Sequence, residues 1–186
     1  GAHLNKFQSD IKAETINLIK SDGYFGYSFE AKGGVVINDN DIQINGEEVI
    51  YIDSIQHMSI LEDGYISNQN KELFGENIFI QFKDSSINEI AIDKDPIVYN
   101  KIRARLSENT IEEHFTDVMQ GESMIIKYSD NKIEEIKVMG MASSLYHVID
   151  NMLLEGTNEV SGDTILFSFI NEELIRIMVQ GGGAGL

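Results

Sequence analysis

Three segments of the chain align without a gap over 18 positions: residues 75–92 (GENIFIQFKDSSINEIAI), 121–138 (GESMIIKYSDNKIEEIKV) and 162–179 (GDTILFSFINEELIRIMV). Each segment begins with glycine and an acidic residue, and continues into an apolar run that ends in an aromatic residue. Four mostly polar residues then precede a second apolar set, and seven positions are apolar in all three copies. Self-similarity of this kind predicts a repeat architecture.

Each copy of the repeat has the pattern of a β-hairpin. In the first copy, Ile78, Ile80 and Phe82 alternate with Phe79 and Gln81. This period of two, carried by β-branched and aromatic residues, is typical of a strand with one buried face. The four residues after each aromatic predict a loop built around a type I turn. These loops are residues 83–86, 129–132 and 170–173.

The second strand of each copy contains an irregularity. Its apolar residues are spaced by three positions and then by two, for example at Ile87, Ile90 and Ile92. A slip of one residue predicts either a β-bulge within the strand or a turn that extends beyond the four loop residues.

The rest of the chain predicts further strands, with two segments that are less certain in type. Residues 33–44, 48–52 and 58–61 continue the strand pattern. Residues 11–19 fit a helix or a strand equally, and residues 97–115 follow the single proline, a residue that often opens a helix. We therefore predict an all-β, mostly antiparallel fold of stacked hairpin repeats with at most one or two short helices. An N-terminal segment, residues 1–29, precedes one continuous unit, residues 30–186, with hairpins near 75–92, 121–138 and 162–179.

Composition excludes several classes of function. The chain has 186 residues, with 31 acidic and 14 basic side chains and a net charge of −17. This balance argues against nucleic acid as a partner, because neutralising phosphates requires lysine and arginine. The absence of cysteine excludes disulfides, a thiolate nucleophile and cysteine-ligated metals. The sequence lacks a membrane-spanning helix and a signal peptide, and its abrupt ends suggest a piece of a longer chain.

No catalytic, metal or cofactor motif stands out. The histidines are scattered without metal-binding spacing, there is no GxSxG elbow, and nothing marks one carboxylate pair as desolvated. The histidines are His3, His57, His114 and His147. We therefore expect a protein that is not an enzyme and carries neither a metal nor a cofactor.

The apolar strand faces are the remaining candidate for function. Nine residues at matching positions of the three hairpins are expected on one side of the stacked sheet: Ile78, Ile80, Phe82, Met124, Ile126, Tyr128, Ile165, Phe167 and Phe169. They predict either an ordinary filled core or the lining of an interior that holds an acyl chain. The sequence does not separate these two.

Short glycine-led motifs between the hairpins resemble a known family. Residues 139–146 (MGMASSLY) and 179–186 (VQGGGAGL) resemble the V-x-G-x-A-x-x-x-Y ends of OstA-like repeats. Residues 158–163 (NEVSGD) and 119–124 (MQGESM) resemble the openings of those repeats, and residues 31–37 (AKGGVVI) with the following strand resemble earlier units. The likeness covers about residues 30 to 186. The OstA-like family includes LptA and the N-terminal domain of LptD.

The resemblance implies a β-jelly-roll with an apolar interior, in the periplasm or cell envelope of a Gram-negative-type bacterium. Members shelter the acyl chains of lipopolysaccharide and join end to end through edge strands. The nine residues above would then line the acyl chains, and the expected partners are a lipopolysaccharide-like amphiphile and other β-jelly-roll proteins or a second copy. Two features depart from this expectation: a charge of −17 repels anionic lipid, and residues 93–116 lengthen one connection. The alternative hypothesis is a structural or interaction segment of a larger envelope or surface protein, with no ligand.

Overall fold

The structure is a computed structural model that describes residues 1–6, 9–20, 27–171, 173–182 and 184–185. Parts of the N-terminal segment (7–8 and 21–26), of the third predicted loop (172) and of the C-terminal motif (183 and 186) lie outside these residues. The described chain is almost entirely antiparallel β-strand, which confirms the predicted fold class. One short 3₁₀ turn at Asp53–Ile55 is the helical element of the described residues. The strands are β1 (Ala2–Lys6), β2 (Ser9–Ala13), β3 (Thr15–Lys20), β4 (Tyr27–Asp39), β5 (Ile42–Ile52), β6 (His57–Asn68), β7 (Lys71–Lys83), β8 (Ser86–Asp93), β9 (Ile97–Ala104), β10 (Glu113–Gln120), β11 (Ser123–Ser129), β12 (Lys132–Asp150), β13 (Leu153–Ile170), β14 (Glu173–Gln180) and β15 (Ala184–Gly185).

Six long strands each contribute their two halves to two different sheets. Sheet I has the order β3-β4-β5-β6-β7-β8-β11-β12-β13-β14. Sheet II has the order β1-β2-β4-β5-β6-β7-β9-β10-β12-β13-β15. The long strands β4, β5, β6, β7, β12 and β13 pass from one sheet to the other, so the two sheets face each other across one core. That core contains residues from both sheets.

Glycine marks the corner where the chain passes between the sheets, within β7 at Gly75, within β13 at Gly162 and between β10 and β11 at Gly121. A Cβ on Gly121 would lie 2.7 Å from a methyl carbon of Val138, and one on Gly162 would lie 2.5 Å from a methyl carbon of Val179. Gly75 faces Ile92 in the same way. The first and last residues of each repeat therefore pack against each other at the corner. This contact explains why the repeat opens on glycine and ends on a β-branched residue.

Bulges rather than longer turns account for the irregular spacing, and the turns predicted at residues 83–86 and 129–132 are wrong in length and type. The register slips by one residue at the aromatic position of all three hairpins, between Gln81 and Phe82 in the first. The strands then continue to the ends of the predicted loops, because Lys83 pairs with Ser86. Only two residues connect the strands there, and both have positive φ, 50° at Asp84 and 65° at Ser85. Two left-handed residues are the signature of a type I′ turn, whose twist matches that of the flanking strands.

The segment at residues 97–115, for which a short helix was considered, forms strands instead. β9 and β10 make a hairpin that pairs with β7 on one side and with β12 on the other. Their alternating inward positions bury side chains against the core, and tertiary packing thus overrides the helical signal from Pro96, which is itself fully buried. The lengthened connection therefore fills a place in sheet II. Residues 11–13 and 15–19 are likewise strand.

Candidate functional site

The structure brings the nine predicted lining residues together on the inward face of sheet I. Six of them are at most 3% exposed: Ile78, Ile80, Met124, Ile126, Ile165 and Phe167. The other three are Phe82, Tyr128 and Phe169, which are partly buried and pack against the same cluster. Most of this face is therefore a filled core, while the three aromatic residues lie nearest to the hairpin ends.

The side of the fold opposite the glycine corners is formed by hairpin ends. We call this side the mouth; it comprises residues 84–85 and 130–131 of sheet I and residues 69–70 and 151–152 of sheet II. Tyr128 lies just inside it, and burial raises the pKa of its phenol to about 12. The mouth is therefore apolar immediately behind its polar turns.

A cavity of about 200 Å³ lies between the two sheets in the C-terminal half of the fold. Sheet I contributes Ile133, Ile136 and Phe169, and the remaining lining belongs to sheet II. The residues of sheet II are Lys71, Val98, Asn100, Ile102, Asp117, Met119, Tyr146, His147 and Ile149. Of the nine predicted residues, Phe169 alone lines this cavity. The β9–β10 hairpin and β12 supply most of the wall.

One part of the cavity wall is polar. Asp117 on β10 is 3% exposed, and its carboxylate accepts hydrogen bonds from Asn100 Nδ2 at 3.0 Å and from the His147 backbone N–H at 2.9 Å. The Nδ1 atom of His147 lies 2.9 Å from the same carboxylate. The carboxylate takes the place of a backbone acceptor here, since the described β10–β12 pairing covers only residues 118–120. A buried carboxylate is tolerated here because these polar groups compensate for its loss of water.

The aromatic side chains of Phe115 and Tyr146 lie near this polar group. The ring centroids of Phe115 and His147 are 5.3 Å apart. Burial raises the pKa of the Tyr146 phenol, and the negative charge of Asp117 raises it further. The cavity thus combines an apolar wall with one fixed carboxylate.

Some basic side chains on the surface are paired with acidic neighbours. Lys94 pairs with Glu76 at 2.8 Å, and Lys127 pairs with Glu135 at 3.0 Å. Lys32 and Lys101 pair in the same way. Exposed pairs of this type contribute little to stability. The excess of 31 acidic over 14 basic side chains still disfavours an anionic ligand at the surface.

Two edge strands of sheet I have one paired side each within the described residues. These are β3, which pairs with β4, and β14, which pairs with β13. Exposed apolar side chains lie on both: Leu18 and Ile19 on β3 are 52% and 57% exposed, and Ile175 on β14 is 56% exposed. An unpaired strand edge is a template for pairing with another chain.

The sequence analysis missed Asp117 and its partners. A signal was available, since Phe115, Asp117 and Met119 alternate at the end of, and directly after, the segment whose type was uncertain. An acidic residue between two apolar residues of a period-two face predicts a buried carboxylate. Across the part of the chain that the structure describes, no group of three or more His, Cys, Asp or Glu side chains is arranged to hold a metal. No described helix is long and apolar enough to cross a membrane.

Comparison with known proteins identifies the fold. No family model matches the chain, and no curated protein matches it. A solved structure does: LptH of Pseudomonas aeruginosa, the LptA-homologous periplasmic component of the conserved lipopolysaccharide transport device. The match has a TM-score of 0.52 at 10% sequence identity, and it covers 76% of this chain and 82% of LptH. The chain therefore has the LptA-like β-jelly-roll fold, as the repeat motifs predicted.

Proposed function

We propose that this protein is a non-enzymatic cell-envelope module that binds lipid between its two sheets and assembles through its edge strands. The observation that carries the proposal is the apolar cavity behind the mouth of an LptA-like fold. Periplasmic location and a lipopolysaccharide-like ligand belong to the same proposal, supported by the fold that the chain shares with LptH.

The size of the cavity limits what enters it. An engineered apolar cavity of roughly 150 Å³ holds benzene, which has six carbons. Scaled to about 200 Å³, the interior holds roughly eight carbons. One acyl segment fits in the closed state, and a ligand with several acyl chains requires the two sheets to separate at the mouth.

The edge strands β3 and β14 support the proposed assembly. β3 and β14 lie at opposite ends of sheet I, so pairing of one copy's β14 with another copy's β3 extends the sheet without closing it. Such head-to-tail contacts generate open chains of molecules. In such a chain of molecules, the apolar interiors of neighbouring copies adjoin each other.

A second candidate is supported by the packing of the core. Six of the nine predicted lining residues are closed off from solvent, as expected for a structural or interaction segment with no ligand. The two candidates differ in whether an acyl chain reaches the cavity.

A single-tryptophan reporter tests lipid entry, because the chain has no tryptophan of its own. Phe169→Trp places the reporter in the cavity wall, and Ile175→Trp places it on the exposed face of β14 as the matched control. Lipid with brominated acyl chains is added to each variant and tryptophan fluorescence is recorded. Strong quenching of the Phe169→Trp variant alone supports the proposal. Equal quenching of both variants, or none of either, favours the structural segment.

A further inference from the structure

The polar wall of the cavity is built mainly of hydrogen-bond acceptors. The Nδ1 atom of His147 faces the Asp117 carboxylate. An ionised carboxylate only accepts hydrogen bonds, so a neutral imidazole beside it has its proton on Nδ1 and an acceptor at Nε2. Asn100 gives its Nδ2 to Asp117, which leaves its Oδ1 as an acceptor as well. Two acceptors therefore flank a carboxylate.

The carboxylate of Asp117 is fixed in place by its neighbours. Asn100 and His147 together supply three donors to Asp117, all at 2.9–3.0 Å. Lys71 is the one lysine or arginine of the cavity lining, and it lies at the exposed start of β7. A second carboxylate or a phosphate beside Asp117 would meet strong repulsion, since the interior screens charge poorly.

We infer that the cavity selects a chain whose polar group, next to Asn100, Asp117 and His147, is an uncharged hydrogen-bond donor such as a hydroxyl. The inference rests on the proposed function and sharpens it. The hydroxyl donates to the free acceptors, the attached apolar chain lies against Val98, Ile102 and the facing wall of sheet I, and any phosphate of the ligand stays outside the mouth. This arrangement reconciles an apolar interior with a net charge of −17.

Three small probes of matched length test the inference on the unaltered protein by calorimetry at pH 7. They are 1-octanol, 1-methoxyheptane, which has the same number of heavy atoms but no donor, and octanoate, which is an anion. We expect 1-octanol to bind roughly fivefold more tightly than the ether, from one hydrogen bond. We expect it to bind at least about tenfold more tightly than octanoate, from charge repulsion.

A pair of substitutions identifies the source of the selectivity. Asp117→Asn removes the buried charge and should reduce the preference for 1-octanol over octanoate at least about threefold. Asp150→Asn removes an exposed charge from the end of the same β12 that holds His147 and should leave the preference unchanged.

The outcomes separate this inference from the proposed function. Equal binding of all three probes to the unaltered protein overturns the inference but leaves lipid binding intact. Binding of none of them, together with an unquenched reporter at Phe169→Trp, overturns both. Tighter binding of octanoate than of 1-octanol also overturns the inference, whatever the behaviour of Asp117→Asn.

Discussion

The glycine that opens each repeat is the point at which the fold is most easily tested. Gly121→Ala places a Cβ 2.7 Å from Val138 Cγ1, 2.9 Å from the Met139 carbonyl oxygen and 3.2 Å from the Gly140 carbonyl oxygen. The methyl of Val138 belongs to a fully buried side chain, and the two oxygens belong to the backbone. None of these atoms moves without cost. Overpacking of this kind destabilises a protein by about 1–3 kcal/mol.

Gly156→Ala is the matched control for that substitution. Gly156 lies within β13, whereas Gly121 lies between β10 and β11, and a Cβ at Gly156 meets nothing within 4 Å. Alanine at such a site reduces the entropy of the unfolded chain and stabilises by about 0.4–1 kcal/mol. The two variants should therefore differ in their free energy of unfolding by about 1.4–4 kcal/mol, which corresponds to roughly 3–16 °C in Tm for a domain of this size.

Urea unfolding followed by circular dichroism measures the difference, with the slope of free energy against urea unchanged in both variants. Equal stability of the Gly121→Ala and Gly156→Ala proteins would refute the corner geometry. A destabilised Gly156→Ala protein would refute it as well, because that position has open space around it.

Three further predictions concern pH, assembly and packing. Burial raises the pKa of Tyr128 from 10 to about 12, so the neutral phenol stabilises the fold below pH 10, and this contribution, about 3 kcal/mol, is lost as pH rises through 12. The Tyr128→Phe protein should lack this part of the alkaline loss of unfolding free energy in urea titrations at pH 9 to 12. An identical loss in both proteins would contradict the burial of this phenol. Sedimentation equilibrium should show association that rises with protein concentration. The association should weaken in the Ile175→Lys protein, which is altered at the β14 edge, but not in the Met141→Lys protein, which is altered at an exposed corner. A strict monomer at high concentration counts against assembly. Phe167→Ala, at a fully buried position, should cost about 3–5 kcal/mol of unfolding free energy, and a loss below 1 kcal/mol would show that the core is not packed as described.

The repeat predicts much of the fold because strand alternation and bulges depend on residues that are close together in the sequence. Alternation in residues 75–92 predicts a strand with one buried face, and the slip at Ile87 predicts the bulge, both of which the structure contains. The corner contact between Gly75 and Ile92 could not be predicted from the pattern alone. The two residues lie on different strands, β7 and β8, and they meet only where β7 passes from one sheet to the other. The family motifs predicted the architecture that the likeness to LptH shows.

The position of the cavity was not predicted because it depends on long-range pairing. Residues 97–115 follow the proline, and local signals there are compatible with a helix. The strands of this segment form because β7 and β12 leave a gap in sheet II that β9 and β10 fill. Asp117 and His147 lie 30 positions apart in the chain, so their contact has no local signature.

Native mass spectrometry of the protein purified from the periplasm of a Gram-negative host tests lipid binding most directly. Val98→Phe adds four carbons at the cavity wall, about half of the roughly eight that the cavity holds, while volume change at a core position costs about 1–3 kcal/mol of stability. We predict a lipid adduct on the unaltered protein, reduced at least about fivefold in a folded Val98→Phe protein, since each buried methylene contributes about 0.8 kcal/mol to binding. An unaltered protein that carries no lipid, or a Val98→Phe protein that retains the full adduct, would contradict binding between the sheets.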